Sequence, residues 1–135
     1  MFDTKIAILI RDDLAVWQKL NVTAFLASGI AALRPDCIGQ PYVDAADRRY
    51  APMLGQPVLV FAATLQDLRA AHAVAVEKGL ALAGYVEAMF RTGHDAANRA
   101  VFAEADTAAT DWVGLALHGP KKAVDRAVKG LALHP

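Results

Sequence analysis

The sequence predicts an α/β fold, a three-layer sandwich in which a four-stranded mixed sheet carries helices on both faces. Short apolar runs alternate along the chain with segments of helical apolar spacing, and this alternation is typical of a sheet covered by helices. The 135 residues are 56% hydrophobic, which is enough for one core and too little chain for two ordinary domains. We therefore expect a single domain over residues 1–135.

The first strand and helix have the clearest patterns. Ile6–Ile10 is an unbroken apolar run of the kind found in strands buried on both faces. Apolar side chains then recur near helical spacing from about Leu14 to Leu33, and Pro35 is expected to end that helix. Residues 35–56 keep no period, and loops of this length are often functional. We expect this loop to be ordered and to cover part of a pocket or an interface.

The rest of the chain continues the alternation. The predicted elements are a strand over 57–62, a helix over 65–78 capped by Thr64, a strand over 80–89, a helix over 96–105 capped by Asp95, a strand over 112–118 and a last helix from Pro120 to near Gly130. The 80–89 strand depends on alanine-rich sequence, which also suits helices.

Charge and cysteine usage exclude several classes of protein. Fourteen basic residues balance fourteen acidic ones, so a nucleic-acid partner is not expected. A single cysteine, Cys37, rules out an internal disulfide and fits a reducing compartment, and we interpret it as a buried small side chain. No signal peptide, membrane span or metal-ligand spacing is present, so we expect a cytoplasmic protein with no membrane partner, metal or cofactor.

Polar residues collect where the first strand ends and the first helix begins. Arg11 follows the strand, and the helix then carries Lys19, Asn21 and Thr23 among apolar residues. Open α/β sheets bind ligands at such strand ends. Positions 19 and 23 share a helix face that 21 does not, so only one of these polar groups should face a pocket.

The last predicted strand also ends in groups that suit an anion. Gly119 and Lys121 flank a Gly-Pro turn at a helix start, where backbone N–H groups and an ammonium can meet a negative charge. We expect this turn and the first strand end to converge on one site.

A third polar cluster includes the best acid/base candidates. Histidine is the side chain that most often serves as a general acid or base, and Asp95 is adjacent to His94 and can orient its ring. Asn98 and Arg99 lie on the next helical turns and could bind a carboxylate or phosphate. We expect these residues to surround the same concavity as Lys19.

Each of these residues also has a simpler structural interpretation. Lys19 could be solvated or paired, Thr23 could bond back to a helix carbonyl, and Arg11 could pair with a neighbouring aspartate. Asp95 could serve only as a helix cap, and Lys121 could belong to a solvated helix face.

Four segments together resemble the uncharacterised bacterial family called domain of unknown function 2000. They are WQKLNVTAFLASGIA, IGQPYVDA, TGHDAANRA and LHGPKKAVDRAVKGLALHP. The resemblance covers nearly the whole chain. It implies a bacterial protein of unknown function.

More distantly, the chain is similar to the archaeal and eukaryotic type of peptidyl-tRNA hydrolase. The similarity rests on Arg-x-Asp-Leu at 11–14, Lys19, the Asp95-Ala96 pair, the Gly-Pro turn at 119–120 and the Leu-x-Leu tail at 131–133. It implies a shared fold and, by carry-over, catalytic roles for Lys19 and Asp95. Thr23 and Leu26 stand where that family has a glutamine and a histidine.

Three classes of function follow from these observations. The first is an uncharacterised protein that binds an anion or another small ligand in a pocket at the strand ends. The second is a hydrolase acting on an acyl or RNA-linked ester. The third is an assembly protein whose loop residues Tyr42, Tyr50 and Met53 pack against a partner. The high hydrophobic content favours a homodimer, with one of Trp17 or Trp112 and the loop tyrosines at the interface.

Overall fold

A computed structural model of the protein describes residues 2–106 and 109–135. The strands are β1 (Thr4–Arg11), β2 (Tyr42–Val43), β3 (Arg49–Tyr50), β4 (Val58–Ala63), β5 (Ala81–Val86) and β6 (Trp112–Pro120). The α-helices are α1 (Val16–Leu33), α2 (Leu65–Glu77), α3 (Asp95–Phe102) and α4 (Lys121–Ala127), and short 3₁₀ helices span Pro35–Cys37 and Glu87–Arg91.

The main sheet has four strands in the order β4-β1-β6-β5. β1 pairs in parallel with β4, whereas β6 runs antiparallel to both β1 and β5. Thr4 is opposite Pro120 and Ile10 is opposite Gly114. The sheet is therefore mixed, as predicted, and the end of β6 lies beside the beginning of β1.

Helices cover both faces of this sheet because side chains alternate along β1. Ile6, Ile8 and Ile10 pack with Val22, Leu26 and Ile30 of α1. Ala7 and Leu9 point to the opposite face, where they pack with Leu68 of α2 and Val124 of α4. The predicted three-layer α/β arrangement is confirmed, while the likeness to peptidyl-tRNA hydrolase stays a prediction.

Most boundaries agree with the predicted elements. Thr64 caps α2 as expected: its hydroxyl accepts from the Asp67 N–H at 3.1 Å, and the Asp67 carboxylate accepts from the Thr64 N–H at 2.9 Å. α1 begins at Val16 rather than Leu14.

Several boundaries are wrong, among them the end of α3 at Phe102 rather than at 105 and the end of α4 at Ala127 rather than near Gly130. The third main strand ends at Val86, and Glu87–Arg91 forms a 3₁₀ helix instead of continuing to Met89. Pro120 ends β6 and precedes α4, because it still pairs with Thr4 of β1. The cap of α3 is His94 and not Asp95.

The loop over residues 35–56 does not line the cleft described below, and its order stays a prediction. It contains one 3₁₀ turn, the β2–β3 hairpin and an isolated bridge between Ile38 and Leu54. Asp44 organises the hairpin turn, since its carboxylate accepts from the Tyr50 hydroxyl and the N–H groups of Ala46 and Arg48. These hydrogen bonds lower the pKa of Asp44.

Candidate functional site

A cleft lies between α1 and α3, beside the last residues of β5. It consists of two adjoining cavities of about 430 and 310 Å³ that both include Phe25, Met89, Asp95 and Asn98. Asn21 and His94 also line the smaller cavity. Arg99 and Phe102 also line the larger one. The cleft is of a size that suits a small organic molecule.

Aromatic side chains line the α1 side of this cleft. Phe25 packs against Tyr85 with ring centroids 5.9 Å apart, Tyr85 packs against Phe90 at 5.3 Å, and Phe90 meets Trp17 at 6.0 Å. Phe25 is half-exposed, whereas Tyr85 is buried. The cleft therefore offers an apolar wall built from α1, β5 and the 3₁₀ helix that follows β5.

Tyr85 brings a hydroxyl to this wall. Burial raises the pKa of Tyr85, and a side-chain hydrogen bond with Asn21 opposes that shift. The phenol is therefore neutral near pH 7, and it adds a hydrogen-bonding group beside the Asn21 amide.

His94 lies on the α3 side of the cleft. Its Nδ1 accepts a hydrogen bond from the Ala97 N–H at 3.2 Å and so caps α3. In the neutral ring the proton is then on Nε2. His94 therefore stabilises the start of α3, in addition to any contact with a ligand. Asp95 is the first residue of the helix.

The charges at the cleft compensate one another. Arg99 Nε donates to the Asp95 carboxylate at 2.8 Å, one helical turn away, and both side chains are exposed. Asn98 is close to Thr92, whose hydroxyl hydrogen-bonds to the Asn98 side chain and to the Met89 carbonyl. The cleft therefore has a neutral polar rim, and no excess of positive charge favours an anion there.

The contribution of the His94 cap to stability can be tested by mutation. Replacing His94 with alanine should destabilise the protein by about 1 kcal/mol, because the Ala97 N–H at the start of a short exposed helix loses its partner. His94→Asn should retain most of this stability, since asparagine is a good N-cap residue. Urea denaturation measures both variants. Equal stability of His94→Ala and wild type would show that the hydrogen bond contributes nothing.

Three of the predicted residues lie outside the cleft. Lys19 and Thr23 lie about 200° around α1 from Asn21 and line neither cavity. The Thr23 hydroxyl donates to the Lys19 carbonyl at 2.7 Å, which is the structural alternative given above. Arg11 is paired with Asp13 at 2.7 Å. The expectation that Lys19 and Asp95 share one concavity is therefore wrong.

Gly119 and Lys121 lie at the other end of the sheet. Gly119 is opposite Lys5 at the beginning of β1, and the Lys121 N–H donates to the Asp3 carbonyl at 3.2 Å. The expected convergence of the Gly-Pro turn with the first strand end is wrong, because β6 is antiparallel to β1. The predicted single site is in fact divided between opposite ends of the sheet.

A wide open groove of about 820 Å³ lies near the Gly-Pro turn, between α2 and α4. Lys78, Lys122, Arg126 and Lys129 line it, and within residues 2–106 and 109–135 none of the four forms an ion pair. Asp125, which also lines the groove, is paired with Lys5. The positive charge that the sequence suggested is here rather than in the cleft.

Sequence reasoning missed a buried contact between Cys37 and His118. Cys37 Sγ is 3.3 Å from His118 Nε2, and Arg34 Nε donates to His118 Nδ1 at 3.3 Å. Because Nδ1 accepts, the neutral imidazole carries its proton on Nε2 and cannot take one from the thiol. Burial raises the pKa of Cys37, which keeps it protonated, and we interpret this pair as structural.

The described residues contain neither a candidate metal site nor a helix that could cross a membrane. No group of three or more His, Cys, Asp or Glu side chains in 2–106 and 109–135 is placed to hold a metal ion. No helix in the described part of the chain is long and apolar enough to cross a membrane.

The architecture defines a class of protein, a small open-sheet α/β protein, and a cleft lies at one end of its sheet. Residues 4–135 match the family described as protein of unknown function, DUF2000. The chain belongs to this family. The match confirms the resemblance drawn from the four segments quoted above.

The solved structure of a protein of unknown function from Agrobacterium tumefaciens is similar over the full length of both chains. The two are 50% identical, and the structures superpose with a TM-score of 0.96. No curated protein matches the sequence.

Proposed function

We propose that the protein binds a small molecule in the α1–α3 cleft, and that this ligand has an apolar ring or chain and a neutral hydrogen-bonding head. The observation that carries the proposal is the meeting of an aromatic wall with a compensated polar rim. Phe25 and Met89 line both cavities of the cleft, together with Asp95 and Asn98. Such a combination of apolar surface and few polar groups is typical of small-ligand pockets.

The neutral head group follows from the charges. Asp95 and Arg99 satisfy each other across one helical turn, so a charged ligand would have to compete with an existing ion pair. The uncharged polar groups are Asn21, which is hydrogen-bonded to Tyr85, and Asn98, whose Oδ1 accepts from Thr92 while its amide N–H groups stay available to a ligand. A carboxamide or hydroxyl fits these groups better than a phosphate, so we propose a neutral ligand at this cleft in place of the anion expected from the sequence.

The hydrolase alternative requires Lys19 to act together with Asp95. Lys19 lines neither cavity of the cleft, and it forms no ion pair within the part of the chain that the structure describes. No observation at the cleft favours ester hydrolysis over binding. We therefore infer a binding protein rather than a hydrolase.

Three matched probes test the proposal: phenylacetamide, phenylacetate and benzylamine. We expect millimolar binding of phenylacetamide and weaker binding of the two charged probes, measured by calorimetry or ligand-observed NMR. Asn98→Asp keeps the shape of the side chain but removes its donors and adds a charge near Asp95. It should weaken phenylacetamide binding about tenfold, the equivalent of one lost hydrogen bond.

Gln40→Glu is the matched control, because it makes the same amide-to-acid change at an exposed position outside the cleft. It should leave phenylacetamide affinity unchanged. Phenylacetate binding more tightly than phenylacetamide would contradict the neutral head group. Equal effects of Asn98→Asp and Gln40→Glu would contradict the location.

A further inference from the structure

The α2–α4 groove concentrates positive charge in a chain that has no net charge. Half of the six lysines of the chain line this groove, together with one arginine. They are Lys78 at the end of α2, Lys122 and Arg126 on α4, and Lys129 in the turn after α4, and all four are exposed. Such a local excess of one charge raises the concentration of ligands of the opposite charge.

The cations of the α4 side are arranged in a row. Lys122, Arg126 and Lys129 follow one another at intervals of four and three residues, so they are neighbours on one helix face. At a rise of ~1.5 Å per residue the row is about 10 Å long. Lys78 belongs to the α2 side of the groove. A ligand in the groove therefore meets cations from two helices.

The carboxylate in the groove does not neutralise this row. Asp125 is the one acidic residue among the described residues that line the groove, and its partner is Lys5 of β1. None of the four lining cations forms an ion pair within the part of the chain that the structure describes. Four positive charges are therefore available to a ligand.

We propose that the α2–α4 groove binds a small molecule that carries two phosphoryl groups. One phosphoryl group has a charge of about −1.5 to −2 near pH 7, so two of them match four cations. Lysine binds phosphate as a point charge, and the Arg126 guanidinium can hold one phosphoryl group with two parallel hydrogen bonds. The site is separate from the α1–α3 cleft, and this inference does not rest on the ligand proposed there.

The size of the groove favours a small molecule over a nucleic acid. Proteins that hold nucleic acid by its backbone commonly contact about 6 to 10 phosphates, and the groove offers four cations along about 10 Å. Its volume of about 820 Å³ is in the range of small-ligand sites. Val74, Pro120 and Ala123 also line it and can contact the apolar part of an organic ligand.

Calorimetry at low ionic strength with inorganic pyrophosphate, orthophosphate and citrate tests the proposal. We expect pyrophosphate to bind at least ~10-fold more tightly than orthophosphate, because its second phosphoryl group reaches further cations, and more tightly than citrate. Arg126→Gln should weaken pyrophosphate binding about tenfold through the loss of a charge-assisted hydrogen bond. Arg49→Gln is the matched control, since Arg49 is exposed on β3 and does not line the groove, and it should leave the affinity unchanged.

Asp125→Asn should have the opposite effect to Arg126→Gln. It removes the carboxylate from the groove and releases Lys5, so pyrophosphate should bind about threefold more tightly. Equal effects of Arg126→Gln and Arg49→Gln, or weaker binding by Asp125→Asn, would overturn the location. Orthophosphate or citrate that binds as tightly as pyrophosphate would overturn the two phosphoryl groups. A single-stranded oligonucleotide that binds more tightly than pyrophosphate would overturn the small ligand.

Discussion

Gly114→Ala should destabilise the protein by about 3 kcal/mol, because β6 and α1 leave no room for a methyl group at this position. A Cβ atom on Gly114 would lie 2.7 Å from Val22 Cγ1, 2.8 Å from Leu26 Cδ1 and 3.2 Å from the Leu9 carbonyl oxygen. The two side chains belong to the buried stripe of α1, and the carbonyl belongs to the central strand. Neither the helix nor the strand can shift without disturbing the core.

Gly93→Ala is the matched control, since nothing lies within 4 Å of a Cβ built there. It should change the free energy of unfolding by less than about 0.5 kcal/mol, as surface substitutions do. Urea denaturation compares the two variants with wild type. Similar losses for both glycines would contradict the close approach of α1 to β6, on which the position of the Asn21 and Phe25 side of the cleft depends.

We also expect the folded protein to lose stability in mild acid. His72 and His118 are both buried. Burial lowers the pKa of His72, whose ring stacks on Trp112 at 4.9 Å. Burial and the Arg34 guanidinium lower the pKa of His118, against a smaller opposing effect of Asp36. Both rings are therefore favoured as neutral groups in the folded state.

The direction of this change in stability follows from the numbers of protons that the folded and unfolded states bind. A lowered pKa in the folded state means that the unfolded chain binds more protons below about pH 6.5, the ordinary histidine pKa, so stability falls as pH falls. The slope can reach about 1.4 kcal/mol per pH unit for each histidine, or about 2.7 for both. Carboxylates with lowered pKa, such as Asp44 and Glu87, lose their contribution only near pH 4 and below.

His72→Phe separates the two histidines. Phenylalanine keeps the stacking on Trp112 and removes one titrating group, so the slope of stability against pH between about 6.5 and 5 should fall toward half. Gly114→Ala is the control, because it should lower stability at every pH without changing the slope. A wild-type stability that does not fall between pH 6.5 and 5 would contradict neutral buried histidines.

Much of the fold could be predicted from the sequence because local patterns encode it. The apolar run of β1 and the helical spacing of α1 depend only on neighbouring residues, and the Thr64 cap is a short-range signal. The strand over 80–89 was overextended because alanine-rich sequence does not distinguish a strand from the 3₁₀ helix at Glu87–Arg91.

The site was less predictable because it depends on strand direction. The sequence identifies polar strand ends, but it does not say that β6 runs antiparallel to β1 and so carries Gly119 away from Arg11. Of the ten candidate residues, Asn21, His94, Asp95, Asn98 and Arg99 meet at the cleft. They do so because α3 follows the end of β5, near the start of α1.

The aromatic wall was also missed, although part of its signal was present. Phe25 follows Asn21 by four residues, so the two share one face of α1. Met89 could not be placed there, because it was assigned to the end of the predicted strand over 80–89, and Phe90 follows it directly. The contact between Cys37 and His118 joins residues 81 positions apart, and no local pattern indicates it.

The most direct test of the account is an amide chemical-shift map of the wild-type protein during titration with phenylacetamide. We expect the largest amide chemical-shift changes around the α1–α3 cleft, at Asn21, Gly93 and Asn98. Shifts concentrated at Lys78, Lys122 and Lys129 would place binding in the α2–α4 groove instead. That result, or an unchanged spectrum at saturating probe, would contradict the assignment of the cleft as the ligand site.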